Sequence, residues 1–129
     1  MSEPYDRGLI ALAKEVALEE RIALREGVFV GVAGPNLETR AEYRFLRAVG
    51  ADVVGMSLVP EAIVAVHGGM RVVAFAVVTD TCFPDALEPV DVAKILATAA
   101  RAEPLLTRLV TRVVERMPAP GAGRPESRA

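Results

Sequence analysis

Three short segments bring acids, hydroxyls and glycines together at spacings that suit recognition of a small polar molecule. The first is Gly34-Pro35-Asn36-Leu37-Glu38-Thr39. Gly34 permits close backbone approach and Pro35 stiffens the turn. Glu38 stands just before a helix start. A carboxylate there either accepts hydrogen bonds from a planar heterocycle with ring N–H donors or complements the helix dipole. The second segment is Gly55-Met56-Ser57. Ser57 offers a hydroxyl at a helix N-terminus, a place that favours anions such as phosphate, so it caps the helix, binds phosphate, or does both. Met56 is a soft apolar surface or part of the core. The third is Val78-Thr79-Asp80-Thr81. An ionised acid at the end of a buried strand is costly unless paired. Asp80 is therefore a general acid or hydrogen-bond acceptor, or else a carboxylate that caps a loop. His67 falls near a helix C-terminus, where partial positive charge is welcome. Cys82 has no His nearby in sequence and no helix N-terminus to activate it, and reads as a structural thiol. No Walker loop, GxGxxG, HExxH or GxSxG occurs in the chain.

The elements that must hold these segments follow from periodicity. Residues Pro4 to about Arg25 predict a helix, with Leu9, Leu12, Ala13, Val16, Ala17 and Ile22 at helical spacing. Val28 to Val32 is an apolar run bounded by Gly27 and Gly34, which suits a buried strand. Thr39 with Glu42 is a capping box that opens a helix through about Val49, and Gly50 ends it. Asp52 to Gly55 predicts a second strand. A helix from Ser57 to about His67 follows, stopped by Gly68-Gly69, with Pro60 tolerated in its first turn. Arg71 to Thr79 is the strongest strand signal, and its near-continuous apolarity predicts burial on both faces. Asp80 to Leu87 is a loop. Pro89 to about Met117 predicts a long helix, kinked or broken near Arg101 to Glu103 by Pro104. Arg101, Arg108, Arg112 and Arg116 read as its solvated face. Pro118 to Ala129 reads as a disordered tail.

Alternation of strands and helices predicts an α/β architecture, part of a mixed β-sheet flanked by helices. In open α/β sheets ligands bind outside the carboxyl ends of the strands, which is where all three segments fall. Three strands make a thin sheet, and its exposed edges would be a liability. Something beyond them, a partner chain or more of the same sheet, is expected to complete it.

Composition removes several alternatives. The chain has 129 residues, 52% of them hydrophobic and 25% charged, which supports one domain with a real core. Fifteen Lys and Arg against 17 Asp and Glu give a formal charge of −2, no footprint for nucleic acid or anionic lipid. Aromatics are only 5%, too few for a base-stacking platform. One cysteine excludes an intrachain disulfide and a multi-cysteine zinc site, and one histidine leaves little for a histidine metal centre, so no metal is expected. No apolar run reaches the roughly 18 residues of a membrane span, and the polar start at Met1 to Arg7 is unlike a signal peptide. A reducing cytoplasm fits best.

The three segments, in this order and spacing, resemble the trimeric purine nucleoside phosphorylase and methylthioadenosine phosphorylase family. Gly34 to Glu42 (GPNLETRAE) resembles the family's G-P-x-x-E-T-x-A-E motif. Leu46 to Glu61 (LRAVGADVVGMSLVPE) resembles its L-x-x-x-G-A-D-x-V-G-M-S-x-V-P-E stretch. Pro4 to Arg7 and Glu26 to Phe29 also fit, and the resemblance runs over about residues 4 to 117. It implies a nucleoside phosphorylase-like three-layer fold in a homotrimer that acts in purine salvage. It also implies phosphorolysis of purine nucleosides to free base and ribose 1-phosphate, through an oxocarbenium-like sugar cation. Glu38 would hydrogen-bond the purine ring and Leu37 would line the base pocket. Met56 would pack on the ribose, and Phe29 stands where the family commonly has a tyrosine near the sugar. Ser57 would donate to phosphate. Thr79 and Asp80 would contact N7 and the group at C6, with Glu38 and Asp80 carrying the catalytic roles. Inorganic phosphate is the co-substrate, with no other cofactor.

The resemblance leaves the base open. Thr-Asp at 79–80 resembles members that accept 6-aminopurines, whereas members preferring 6-oxopurines resemble Thr-Asn. Methylthioadenosine enzymes resemble T-D-x-D, and Cys82 stands where their second acid would be, with Asp85 three residues later. Family chains are about twice this length. Their glycine-rich phosphate loop, Arg-x-His clamp and alanine-glycine strand have no counterpart here. Residues 1–117 are therefore expected to form the C-terminal half of such a domain, with the purine and ribose half-site but an incomplete phosphate site. A methylthioadenosine phosphorylase, or an inactive remnant that binds purines or assembles with a relative, remain as alternatives.

Overall fold

The computed structural model describes residues 1–118, so the tail expected over 118–129 lies, from residue 119 on, outside the described residues. Helix α1 spans Arg7–Glu19. Asp6 starts it by accepting from the Leu9 amide at 2.9 Å. The apolar spacing seen in the sequence runs on to Ile22, but the helix stops earlier. Arg21 takes a left-handed φ of 54°. The amide of Ile22 then reaches back to the Ala17 carbonyl and that of Arg21 to the Leu18 carbonyl, at 2.7 and 3.2 Å. This is a Schellman ending, in which one αL residue satisfies the last carbonyls.

Strand β1 (Phe29–Gly31), helix α2 (Arg40–Ala48) and strand β2 (Val53–Gly55) form a β-α-β unit with the two strands parallel. Phe29 pairs with Val53, Val30 with Val54 and Gly31 with Gly55. Asp52 fastens the start of the pair, its carboxylate accepting from the Val28 amide at 2.8 Å. The capping box of α2 is present as expected: the Thr39 amide donates to Glu42 at 2.7 Å, and the Glu42 amide donates to the Thr39 hydroxyl at 3.3 Å. Gly50, at φ 95°, ends α2 with the same Schellman bonds. Helix α3 spans Val59–His67 and ends likewise at Gly69.

The α/β architecture is as expected, but its strongest strand signal is not realised. Residues 71–79 pair with neither β1 nor β2, and the sheet among the described residues has two strands. Nor is the run buried on both faces, since Val78 is 57% exposed. β-branched and aromatic residues suit a pleated, half-buried surface, but a strand also needs a hydrogen-bonded neighbour. The run borders instead on an open apolar trough of about 720 Å3, shared with Phe29 and Val53 of the sheet and Leu106 and Leu109 of the last helix.

A single turn of 3-10 helix (Pro84–Ala86) precedes the last helix, α4, at Val92–Arg116. The break expected at Pro104 does not occur. Pro104 removes the bond to the Ala100 carbonyl, but Ala100 is exposed and water can serve that oxygen. Helix α4 packs on α1, and the hydrophobic core is theirs: Ala13, Val16 and Ala17 against Leu109 and Val113. Burying each leucine or valine fully is worth about 1.5–3 kcal/mol. The four α4 arginines are exposed, as expected, and three of them also pair with acids at the end of α1. Arg108 and Arg112 hold Glu20 at 3.3 and 3.1 Å, and Arg116 holds Glu15 and Glu19 at 2.6 and 2.7 Å. Their spacing of four along α4 lays them beside an acidic row on α1. Among the described residues no helix is long and apolar enough to cross a membrane.

Candidate functional site at the strand ends

The two strands finish side by side, and the Val32 amide donates to the Gly55 carbonyl at 2.9 Å. The segments beginning at Gly34 and Met56 therefore leave the sheet from neighbouring points. Glycine makes this close approach possible. A Cβ on Gly55 would lie 2.7 Å from Cζ of Phe29, so the ring rests on bare backbone. A Cβ on Gly34 would lie 2.5 Å from the Met56 sulfur, and Gly34 has φ +66°, which side-chain-bearing residues rarely adopt. Phe29 and Met56 are thus each seated on a glycine of the other strand's segment. Met56 is 45% exposed, a soft apolar surface open to a ligand rather than core. Leu37, 46% exposed, is likewise accessible, its carbonyl accepting from the Asn36 side chain at 2.9 Å.

Ser57 does not cap α3. The N-cap position belongs to Leu58, which makes no side-chain cap bond and sits at φ 77°. This left-handed turn places the Ser57 hydroxyl one residue too early to reach the α3 amides. Instead the Val59 amide donates to the Ser57 carbonyl at 3.0 Å. With ψ −47° and this bond across one residue, Leu58 forms a γ-turn of positive φ, a form that is rare and strained, and such strain clusters at ligand sites. Ser57 is exposed and its hydroxyl has no hydrogen bond among the described residues.

Glu38 is half-buried and precedes the α2 cap. Glu42 already supplies the carboxylate at that helix end. Its bond from the Thr39 amide, then that from the Thr39 hydroxyl, holds its pKa below the usual carboxylate range. Tyr43 is the one buried residue of α2. Burial pushes the Tyr43 phenol above its usual pKa, and the neighbouring Cys82 and Glu38 add to this. The sequence reading missed Tyr43. The signal was there: an aromatic one position past the capping box lies on the face that α2 turns inward.

The third segment is arranged differently from the expectation. Thr79 is half-buried, but Asp80 is exposed and accepts from the Thr81 amide at 2.8 Å. Its charge therefore pays no burial cost, because the run before it is not a buried strand. Asp80 opens on a hollow of about 270 Å3 with Glu88, Asp91 and Lys94. Cys82 of this segment neighbours Tyr43 of α2. Asp85 is engaged by Arg44 of α2 at 2.5 Å, which holds its carboxyl below the usual range. His67 ends α3, exposed, as expected. No group of three His, Cys, Asp or Glu among the described residues could hold a metal ion.

The strand-end segments belong to an α/β unit, and comparison with known proteins identifies its family. The Phosphorylase superfamily model matches residues 1–115. The chain is 38% identical over 114 residues to purine nucleoside phosphorylase 1 of Bacillus subtilis, covering 88% of this chain and 42% of that protein. It is 41% identical over 127 residues to the purine nucleoside phosphorylase of Mus musculus, covering 95% of this chain and 44% of that one. The crystal structure of Schistosoma mansoni purine nucleoside phosphorylase in complex with inosine matches with a TM-score of 0.85 at 38% identity, over 91% of this chain and 43% of that chain. The chain belongs to the phosphorylase superfamily. It spans less than half the length of these relatives.

Proposed function

We propose that this chain carries the purine- and ribose-contacting part of a purine nucleoside phosphorylase, a pentosyltransferase that converts a purine nucleoside and phosphate into free base and ribose 1-phosphate. The observation that carries the proposal is the glycine-backed seating of Phe29 and Met56 beside the loop that holds Glu38. In this reading Met56 and Phe29 flank the sugar. Glu38 accepts from the purine ring and Leu37 lines the base pocket. Ser57, uncommitted to the helix, donates to phosphate. Thr79 and Asp80 meet the N7 and C6 edge. Charge moves toward the base as the glycosidic bond breaks, so groups that stabilise the departing purine lower the barrier. Inorganic phosphate is the co-substrate, without another cofactor. The reading extends to a cytoplasmic homotrimer working in purine salvage, as the motif resemblance implies.

Solved relatives from Schistosoma are complexes with hypoxanthine, inosine, guanosine and, in one case, adenosine. Asp80 favours a 6-aminopurine here, because a carboxylate accepts from an exocyclic amino group. The test is phosphate-dependent cleavage of inosine, adenosine and methylthioadenosine. It is run with the chain alone, then mixed with a polypeptide supplying the part of the relatives outside the match. Cleavage that requires both phosphate and the added polypeptide is expected. Base binding with no cleavage in either arm would replace the enzyme with an inactive purine-binding protein.

A further inference from the structure

The run at 72–79 packs like a strand and bonds like a loop. It is fastened where it starts: the Asp6 amide donates to the Val72 carbonyl at 2.7 Å, and Arg71 binds Asp6 at 2.6 and 2.8 Å. Further on, its side chains alternate. Phe75, Val77 and Thr79 are half-buried, while Ala76, Val78 and Asp80 are exposed. A period of two belongs to an extended chain with one face on a core, and Phe75 does pack against the α1–α4 cluster. Yet from Val73 to Thr79 no amide or carbonyl makes a backbone hydrogen bond among the described residues. Backbone groups held away from water are nearly always paired, so this row is one side of a ladder. The trough of about 720 Å3 beside it has apolar walls: Phe29 and Val53 of the sheet, Ile22 and Leu24 after α1, and Leu106 and Leu109 of α4.

We propose that the unpaired backbone of 73–79 and the trough form a strand-addition site, which receives an extended apolar segment of the polypeptide that supplies the remaining length of the relatives. The proposal rests on the reading that this chain works with such a polypeptide. Three observations choose this occupant. A helix bonds its backbone internally and would leave the 73–79 row unpaired, whereas an added strand satisfies it. Walls that are apolar all round suit a segment apolar on both faces, as inside an α/β sheet. The length is available too: the chain covers 42% and 44% of its Bacillus and Mus relatives, so more than half of each lies outside the match. The chain also keeps the fold of the inosine-bound relative at a TM-score of 0.85, so the rest of that longer chain is placed to cover the surface left open here. Filling the trough would join 73–79 to the sheet and hold Thr79 and Asp80 in fixed register with the ends of β1 and β2.

The test is hydrogen exchange, amide by amide, on the full chain alone and co-expressed with the part of Bacillus subtilis purine nucleoside phosphorylase 1 that lies outside the match. In the chain alone the amides of 73–79 should exchange within about tenfold of the unstructured rate, and in the complex about 100-fold more slowly. Ala76 and Val77 present their amides to opposite edges of an extended chain. Ala76→Pro and Val77→Pro therefore each remove one donor. At least one of them should raise the dissociation constant of the complex by about tenfold, the size of one lost hydrogen bond, while Ala76→Ser keeps the amide and should stay within about twofold of the native chain. Unchanged protection of α1 checks that each variant is folded. No complex, a complex with 73–79 still unprotected, or native affinity in both proline variants overturns the proposal. Slow exchange at 73–79 in the chain alone overturns it as well: with concentration dependence the occupant is a second copy, and without it the run is paired within the chain. Protection with no phosphate-dependent cleavage of inosine keeps the strand site and removes the enzyme. Cleavage with 73–79 unprotected does the reverse.

Discussion

Replacing Gly55 with alanine sets two effects of opposite sign against each other, and the structure says which wins. Gly55 does not have a positive φ, so alanine can adopt its backbone conformation. Taken alone, that change would stabilise the chain by about 0.4–1 kcal/mol, by narrowing the unfolded ensemble. But the new methyl would lie 2.7 Å from Cζ and 3.1 Å from Cε2 of Phe29. Ordinary carbon–carbon contact is about 3.5 Å, so the ring would have to retreat by about 0.8 Å. It cannot do so by backbone movement, because Phe29 is held in register opposite Val53. Overpacking of this kind costs about 1–3 kcal/mol. The net expectation is a loss of about 1–2 kcal/mol, or about 4–8 °C in melting temperature for a domain of this size. Phe29→Leu withdraws the ring tip. In that background Gly55→Ala should become neutral or stabilising, a coupling of about 1–2 kcal/mol measured by urea unfolding of the four proteins. The reasoning fails if Gly55→Ala costs the same with phenylalanine or leucine at position 29.

Three other perturbations test separate parts of the argument. Leu109→Ala, at a side chain only 2% exposed between α1 and α4, should lower unfolding free energy by about 2–5 kcal/mol; a loss under 1 kcal/mol would mean that this contact is not the core. Asp6 binds Arg71 through two bonds of 2.6 and 2.8 Å, which hold its carboxyl well below the usual carboxylate range. A depressed folded pKa adds stability above the unfolded value of about 3.9 and loses it as pH falls further, so the advantage of the native chain over Asp6→Asn should shrink on acidification below about pH 4. Asn can still cap α1, and a pH-independent difference would remove the ion pair from the account. Asp80→Asn should move the adenosine-to-inosine ratio of kcat/KM toward inosine by about tenfold, as an amide donates where the carboxylate accepts; an unchanged ratio would take Asp80 out of base selection.

What could be read from the sequence was mostly local. The capping box at Thr39 and Glu42, the stop at Gly50 and the two short strands are decided within a few residues, and all are present. Gly34 and Gly55 were legible as places of close approach, though not what approaches them. What escaped depends on partners distant in the chain. The run at 71–79 has strand composition and no ladder partner among the described residues. The α4 arginines face solvent as expected, but that Glu15, Glu19 and Glu20 lie beside them depends on how α1 packs. Ser57 reads as a cap because serine prefers that position, but Leu58 takes it with a left-handed turn that no propensity foretells. Arg21 misleads in the same way, ending α1 without the glycine that usually marks such a stop.

The division of the core bears on how the site behaves. All five residues of the main cluster lie on α1 or α4. The elements that carry the site add only Tyr43, Ala62 and Pro84 to the buried set. Apolar burial is the main favourable term in folding, so resistance to unfolding should follow the same map. Regions with few buried contacts open at lower free energy than the global transition. Amides in the middle of α1 should therefore exchange with solvent only on near-global opening. Those of β1, β2 and the start of α3 should exchange through smaller openings, about tenfold or more faster. Hydrogen exchange read residue by residue gives the comparison directly. A purine ligand should slow exchange around Gly31, Gly55 and Thr39 and leave α1 unchanged, because it stabilises only the segments that it holds. Equal protection of α1 and the strands, before any ligand is added, would show that the β-α-β unit is fixed by contacts outside the α1–α4 cluster and would refute this division.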